Sequence, residues 1–152
     1  MGGDLPVTHP VFVLNGPSLN LLGVREPEVY GSTTLAQIEE ASRQRAESRG
    51  LTIPLFGQSN YEGQLIDWIH QAREAKACVI INPGAWATTS VALADSLKVL
   101  DKPVIEVHLS NIHRREGFQH GSLVSKFATG VVAGLGHRGY LYAVDALADL
   151  VV

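Results

Sequence analysis

The chain has 152 residues, of which 45% are hydrophobic and 18% are charged, enough for one domain with a substantial core and too few for two. Its formal net charge is −3 at pH 7 and its 12 basic residues form no block, which argues against a nucleic-acid surface or a polybasic membrane patch and favours a small-molecule or protein partner. A single cysteine excludes an internal disulfide and fits a reducing compartment such as the cytoplasm.

The beginning of the chain is predicted to lie outside the fold. Its first residues lack the apolar core of a signal peptide, and no apolar stretch approaches the roughly 18 residues of a membrane span. We therefore expect residues 1–9 to form a disordered tail and residues 10–152 to form a single domain without a membrane partner.

Beyond this tail, short β-rich runs alternate with segments of helical period. The predicted strands are VFVLN (11–15), LTIPLFG (51–57), CVIIN (78–82), PVIEVHLS (103–110) and GVVAGLG (130–136). Four helices are predicted. They run from Thr33 or Thr34 to just before Gly50, from Glu62 to about Lys76, from Ser90 to Leu100, and from about Gly139 to Val152. Their expected inward residues are Leu35, Ile38, Ala41 and Arg45 in the first, Leu65, Ile66, Ile69 and Ala72 in the second, and Leu141, Val144, Leu147, Ala148 and Val151 in the last.

This alternation predicts an α/β fold with a doubly wound, five-stranded parallel sheet, because parallel strands need crossover connections and the helices supply them. We expect the flavodoxin-like order 2-1-3-4-5. Pro54 supports it, since a proline without an N–H group is tolerated on an edge strand, which the second run becomes in that order. Ligands of such sheets bind beyond the carboxyl ends of the strands.

The fourth run carries the most informative polar residues. Glu106 and His108 interrupt an apolar strand two residues apart, so both side chains lie on one face. Because an unpaired buried carboxylate is costly, we expect it to hold the imidazole in a fixed tautomer, as suits a general acid or base. A purely structural pair, or a glutamate turned to solvent at the rim, stays open from spacing alone.

Two other ligand classes fit the sequence poorly. A metal site would draw on Glu106, His108, His113 and His120, but their spacing matches no zinc pattern, and none is predicted. The loop NGPS after the first strand lacks a nucleotide-binding glycine pattern, and Pro17 removes one of its backbone donors.

The loop after the first strand contains Arg25 and Tyr30 between glycines and prolines. A phenol has a reference pKa of about 10 and is a poor base at neutral pH unless a neighbouring cation stabilises the phenolate. Arg25 is a candidate for that cation, and the alternative is that both residues decorate a surface loop. The glycines and prolines of residues 16–31 are typical of a lid.

Four stretches of the chain carry a resemblance to a known family. They are NGPSLNLLGVREPEVYGSTTL (15–35), QSNYEGQLIDWIH (58–70), INPGAWATTSVAL (81–93) and VIEVHLSNIHRREGF (104–118). In order and spacing they resemble type II 3-dehydroquinate dehydratase, over roughly residues 11–148. The resemblance implies a flavodoxin-like dodecamer built of trimers, no metal or organic cofactor, and loss of water from 3-dehydroquinate to give 3-dehydroshikimate.

The same resemblance implies a role for individual residues. Tyr30 would remove the proton next to the ketone with Arg25 lowering its pKa, and His108, oriented by Glu106, would protonate the departing hydroxyl. The positions that hold the substrate carboxylate match Asn82, Leu109 and Ser110. Arg115 matches an arginine of the closing loop, and Asp95 matches an acid supplied by a neighbouring subunit.

Three positions around the substrate depart from the family pattern. Ser18 stands in place of an asparagine that holds a water near the enolate oxygen, Thr88 in place of a histidine, and Gln119 in place of an arginine. The last two changes remove partners of the ring hydroxyls, on which discrimination of polar substituents depends. The alternatives are therefore a paralogue that dehydrates a related β-hydroxy ketone and a non-catalytic oligomer that binds a small carboxylate.

Overall fold

Five strands form one parallel sheet in the computed structural model, which describes residues 7–115, 117 and 121–152. The strands are β1 (Pro10–Asn15), β2 (Thr52–Gln58), β3 (Cys78–Asn82), β4 (Val104–His108) and β5 (Gly130–Ala133). Their order is β2-β1-β3-β4-β5 and every neighbouring pair is parallel. The predicted flavodoxin-like order is confirmed, and Pro54 lies on an edge strand as expected.

Helices connect the strands. They are α1 (Pro27–Tyr30), α2 (Leu35–Ser48), α3 (Glu62–Glu74), α4 (Trp86–Thr89), α5 (Val91–Ser96) and α6 (Arg138–Val151). The four predicted helices are present, but the third is shorter than predicted, because α5 continues only as a 3-10 turn at Leu97–Val99. The short helices α1 and α4 were not predicted, since four residues are too few to show a period.

Thr34, rather than Thr33, caps the first long helix. The Thr34 hydroxyl accepts a hydrogen bond from the Gln37 N–H at 3.2 Å, and the Gln37 side chain accepts one from the Thr34 N–H at 2.9 Å. This reciprocal capping box satisfies two N–H groups that the helix itself leaves free. Gly50 has φ +77°, which ends the helix as predicted.

The sheet separates two hydrophobic clusters. Val11 and Val13 belong to the cluster under α2 and α6, whereas the alternate residues Phe12 and Leu14 belong to the cluster under α3 and α5. Burial on both faces explains why the strands read as continuous apolar runs. Cys78 lies in the first cluster with 3% of its surface exposed, and this burial raises the pKa of its thiol.

The inward faces of two helices differ from those predicted. In α2 the buried residues are Ile38, Ser42 and Ala46, and Arg45 lies at the edge of the interface, where it pairs with Asp145 of α6 at 2.5 Å. Ala41 is likewise only half-buried.

The predicted inward face of α6 is confirmed at Val144, Leu147 and Ala148, which are buried. This face also includes Tyr140 and Ala143, whereas Leu141 and Val151 are half-buried. The prediction was set by the aliphatic residues, but the tyrosine occupies the core because its hydroxyl finds buried partners there.

The described part of the chain begins close to the sheet. The carbonyl of His9 accepts a hydrogen bond from the Thr52 N–H at 3.1 Å, just before β1 begins. Residues 1–6 of the predicted tail lie outside the described residues. Within the described ranges, no helix is long and apolar enough to cross a membrane.

Gly16 allows the ends of β1 and β3 to approach each other. It is buried, and its N–H donates to the carbonyl of Asn82 at 2.8 Å. A Cβ atom at this position would lie 2.5 Å from the carbonyl oxygen of Pro83, a backbone atom that cannot move independently. The ends of the two strands therefore require a residue without a side chain here.

We predict that Gly16→Ala lowers the free energy of unfolding by about 2–3 kcal/mol, because the backbones at the ends of both strands must separate. Urea denaturation measures this change. Gly63→Ala is the matched control, since its Cβ meets nothing within 4 Å and alanine favours a helix, so stability should hold or rise by up to about 1 kcal/mol. A Gly16→Ala protein as stable as the wild type would contradict the close approach.

Candidate active site

A cavity of about 600 Å³ opens at the carboxyl ends of the strands. Its walls come from the loop after β1, from the end of β3 with α4, and from the end of β4, which is where a doubly wound sheet is expected to bind ligands. The predicted site residues that line it are Ser18, Arg25, Tyr30, Asn82, Thr88, His108, Leu109, Ser110 and Arg115. The fold thus brings most of the predicted site together.

Glu106 and His108 form the hydrogen-bonded pair that their alternation in β4 predicts. Glu106 has no exposed surface and does not line the cavity, whereas His108 is 5% exposed and reaches the cavity wall. The Nε2 atom of His108 is hydrogen-bonded to Oε2 of Glu106. With Nε2 held in this way, Nδ1 is the ring nitrogen left to exchange a proton in the cavity.

Two serines complete the environment of Glu106. The Ser125 hydroxyl donates to Oε1 at 2.5 Å, and Ser122 also hydrogen-bonds the carboxylate. Burial alone would raise the pKa of Glu106, but the hydrogen bonds from His108, Ser125 and Ser122 outweigh it and hold the pKa below its ordinary value. Sequence reasoning missed both serines, because nothing in the polar segment before β5 distinguishes them from ordinary turn residues.

Arg25 and Tyr30 lie in the loop that covers the cavity. The loop contains a 3-10 turn at Leu19–Leu21 and helix α1, which ends at Tyr30. Glu26 precedes α1 in the left-handed region, at φ +44°, and its carboxylate lies 3.6 Å from Nε of Arg25. Both Arg25 and Tyr30 line the same cavity as His108, so this loop is part of the site wall and more than a surface decoration.

The residues matched to carboxylate binding lie at the ends of the central strands. Asn82 is the last residue of β3 and is 2% exposed, and its Oδ1 accepts the N–H of Gly84 at 3.2 Å. Leu109 and Ser110 directly follow β4, and the Arg115 guanidinium donates to the Ser110 hydroxyl. This cluster of N–H and O–H donors suits an anionic group.

The positions that depart from the family pattern have distinct surroundings. Ser18 adopts the left-handed region at φ +66°, which asparagine and glycine tolerate better than serine, and its N–H donates to Oδ1 of Asn60 at 2.8 Å. The Thr88 hydroxyl donates to the carbonyl of Ala85 at 3.2 Å. Gln119 and the neighbouring His120 lie outside the described residues.

Asp95 is a predicted site residue that does not line the cavity. It stands on α5 with 67% of its side chain exposed and pairs with Lys98 at 3.0 Å. Its exposure leaves the carboxylate accessible to another molecule.

In the part of the chain that the structure describes, no group of three or more histidine, cysteine, aspartate or glutamate residues is arranged to hold a metal ion.

Tyr140 is a buried residue near the site that sequence reasoning missed. It has no exposed surface, and its hydroxyl lies between Asn15 at 2.6 Å and Asn82 at 2.9 Å. A tyrosine in the first turn of an amphipathic helix gives no signal of such a contact, since its partners lie far away in sequence. The asparagines that end the first and third strands are the part of this network visible in the sequence.

The comparisons with known proteins all find members of one family. The family model for dehydroquinase class II matches residues 9–148. A relative from Pseudomonas aeruginosa named 3-dehydroquinate dehydratase 2 is 53% identical over 143 residues, covering 94% of this chain and 96% of its own. A 3-dehydroquinate dehydratase from Streptomyces coelicolor is 53% identical over 142 residues, covering 93% and 90%. The crystal structure of type II dehydroquinase from Propionibacterium acnes superposes with a TM-score of 0.88 at 44% identity, covering 92% of this chain and 96% of that one.

We predict that acid destabilises the wild-type protein more steeply than Glu106→Gln. The pKa of Glu106 in the folded protein lies below its ordinary value of 4.5, so below about that pH the unfolded chain binds more protons than the folded one. The stability contributed by the carboxylate is complete above its ordinary pKa and is lost as the pH falls through the folded-state pKa. Urea denaturation between about pH 3.5 and about pH 6 measures the two slopes.

Glu47→Gln is the control for this experiment, because it removes an exposed carboxylate of α2 that has no part in the site. Its acid slope should match that of the wild type. If Glu106→Gln also matched the wild type, the carboxylate would not be held ionised by its neighbours.

Proposed function

The chain belongs to the type II dehydroquinase family, and on that premise we propose that it is a hydro-lyase that removes water from 3-dehydroquinate to give 3-dehydroshikimate. The observation that carries the proposal is the meeting of three groups at one cavity: Tyr30 and Arg25 from the loop after β1, and His108, backed by the buried Glu106, from β4. An elimination needs a base for the carbon proton and an acid for the leaving hydroxyl, and this cavity offers both.

The first step is removal of a proton from the carbon next to the ketone. Tyr30 acts as a phenolate, which Arg25 stabilises through its positive charge. The C–H electron pair moves into the ring and places negative charge on the ketone oxygen, giving an enolate. Ser18 lies on the cavity wall, where it would hold a water molecule near that oxygen.

The second step is loss of the tertiary hydroxyl. His108 in its protonated form donates the Nδ1 proton to the hydroxyl as the C–O bond breaks, while the enolate collapses to form the carbon–carbon double bond and restore the ketone. Glu106 holds Nε2 and stabilises the positive charge of the ring before the transfer. Water is released, and proton exchange returns Tyr30 and His108 to their starting states.

The substrate carboxylate fits the donors at the ends of β3 and β4. Asn82, the Ser110 hydroxyl, and the backbone N–H groups of Leu109 and Ser110 would hold it. Arg115 already contacts Ser110 and would help to close the site. Thr88 and Gln119 are assigned to the far side of the ring, and no metal or organic cofactor enters the scheme.

The assembly proposed with this function is a homo-oligomer, a dodecamer of trimers, in the cytoplasm. The exposed carboxylate of Asp95, away from the cavity of its own chain, supports its insertion into the pocket of a neighbouring subunit. The buried free thiol of Cys78 is compatible with a reducing compartment.

We predict that Tyr30→Phe lowers kcat at least about 100-fold, since it removes the proposed base. Its free energy of unfolding should stay within about 0.5 kcal/mol of the wild type, because Tyr30 is only half-buried. His108→Ala should lose activity similarly but also lose stability, because Glu106 then remains buried without one of its partners. The assay follows the ultraviolet absorbance of the conjugated enone formed from 3-dehydroquinate.

Tyr61→Phe is the matched control, because Tyr61 is 79% exposed and lies outside the cavity. Unchanged turnover by Tyr30→Phe would refute the assigned base. If the wild-type protein bound shikimate but did not convert 3-dehydroquinate, an analogue-specific dehydratase that uses Ser18 and Thr88 differently would replace the present proposal.

We predict that light scattering gives a mass well above that of one chain and that Asp95→Ala lowers kcat/KM by about tenfold, the scale of a lost hydrogen bond to a charged group. Lys98→Ala is the control, because it breaks the ion pair within the chain and leaves the Asp95 carboxylate in place. A fully active monomer, or an equal loss in Lys98→Ala, would contradict a role for Asp95 across the interface.

A further inference from the structure

A chain of hydrogen bonds connects the ends of three strands through Tyr140. Asn15 and Asn82 are register partners at the ends of β1 and β3, so their side chains lie on the same face of the sheet. The ring of Tyr140 rises from the core beneath them, and its hydroxyl contacts both amides. Asn15 also reaches β2, because its Nδ2 donates to the carbonyl of Gly57 at 2.9 Å.

The donor and the acceptor of each hydrogen bond in this network are determined by the adjacent hydrogen bonds. Since Nδ2 of Asn15 donates to Gly57, the atom that faces Tyr140 is Oδ1, which can only accept. The Tyr140 hydroxyl therefore donates its proton to Asn15 and accepts from Nδ2 of Asn82. Oδ1 of Asn82 then accepts from the N–H of Gly84 at 3.2 Å.

These hydrogen bonds leave one N–H of the Asn82 amide free to face the cavity. The Nδ2 group carries two hydrogens, and Tyr140 takes one of them. Asn82 lines the cavity although only 2% of its surface is exposed, so the second hydrogen is available to an acceptor placed there. Burial raises the pKa of Tyr140 well above its ordinary range, more than the hydrogen bond from Asn82 lowers it, and the phenol keeps its proton.

We propose that Tyr140 is a positioning residue for the ligand carboxylate: it fixes which end of the Asn82 amide faces the cavity, without touching the ligand itself. This inference rests on the function proposed above, in which Asn82 contacts the substrate carboxylate. Without the tyrosine oxygen, the Asn82 amide loses one of the two partners that order it and keeps only the Gly84 N–H on its oxygen, so its nitrogen faces the cavity for a smaller fraction of the time. An amide oxygen facing a carboxylate is repulsive, so binding of the acid weakens.

The test compares an acid with its ester. We expect Tyr140→Phe, which keeps the ring and removes only the hydroxyl, to weaken shikimate binding by about tenfold and the binding of its methyl ester by less than about twofold, because hydrogen bonds to charged groups are the stronger ones. Calorimetry measures both dissociation constants. Tyr142→Phe is the matched control, since it removes a hydroxyl from the same helix at a site that is 43% exposed.

Kinetics provide the second readout. Because the carboxylate contact is made both in the ground state and in the transition state, KM for 3-dehydroquinate should rise by a similar factor while kcat changes less than about twofold. A structural role alone would lower kcat and weaken acid and ester alike, and that result would overturn the proposal, as would unchanged shikimate binding.

Asn15→Ala provides a second test that does not depend on the folding of Tyr140→Phe. It removes the acceptor that fixes the direction of the tyrosine proton, and it should reduce the preference for the acid over the ester in the same direction. Unchanged preference in a folded Asn15→Ala protein would likewise count against the proposal. The calorimetric comparison needs no turnover, so an inactive wild type that binds shikimate would refute the proposed reaction while the acid-to-ester ratio still decides the role of Tyr140.

Discussion

A carboxylate buried in the middle of a parallel sheet is the constraint around which this site is organised. Glu106 has no exposed surface, and a charge in that position survives only with hydrogen-bond donors on its oxygens. His108 satisfies one oxygen and Ser125 the other, so the requirement of stability and the orientation of the imidazole are met by the same contacts. The end of β4 therefore places the imidazole at the cavity wall, and the loop after β1 supplies Arg25 and Tyr30 to the same cavity.

The sheet could be predicted because the patterns that identify its strands and helices lie within short segments of the sequence. Continuous apolar runs identify strands covered on both faces, and their alternation with helical segments requires crossovers, which leaves few topologies. Pro54 and the pair Glu106 and His108 added position-specific information, since a missing N–H group and a two-residue spacing each have one structural consequence. The strand order and the pairing within β4 followed from these observations.

The parts that could not be predicted depend on contacts between distant residues. The predicted inward face of α6 left out Tyr140 because it was drawn from the aliphatic residues, whereas Asn15 and Asn82 satisfy the tyrosine hydroxyl in the core. Ser122 and Ser125 gave no signal, since only the folded chain brings them to Glu106. Ser18 illustrates a third limit, because its positive φ depends on how the loop after β1 meets Asn60.

The burial of Cys78 has a practical consequence for studying the loop that carries Tyr30. The chain's only thiol is enclosed in the core and is disfavoured as a thiolate, the form that reacts with alkylating reagents. The folded protein therefore offers a silent background for maleimide labelling. A single reporter thiol introduced by Glu28→Cys, at an exposed position of α1, would take up one fluorophore per chain and would test whether the loop moves when a ligand binds.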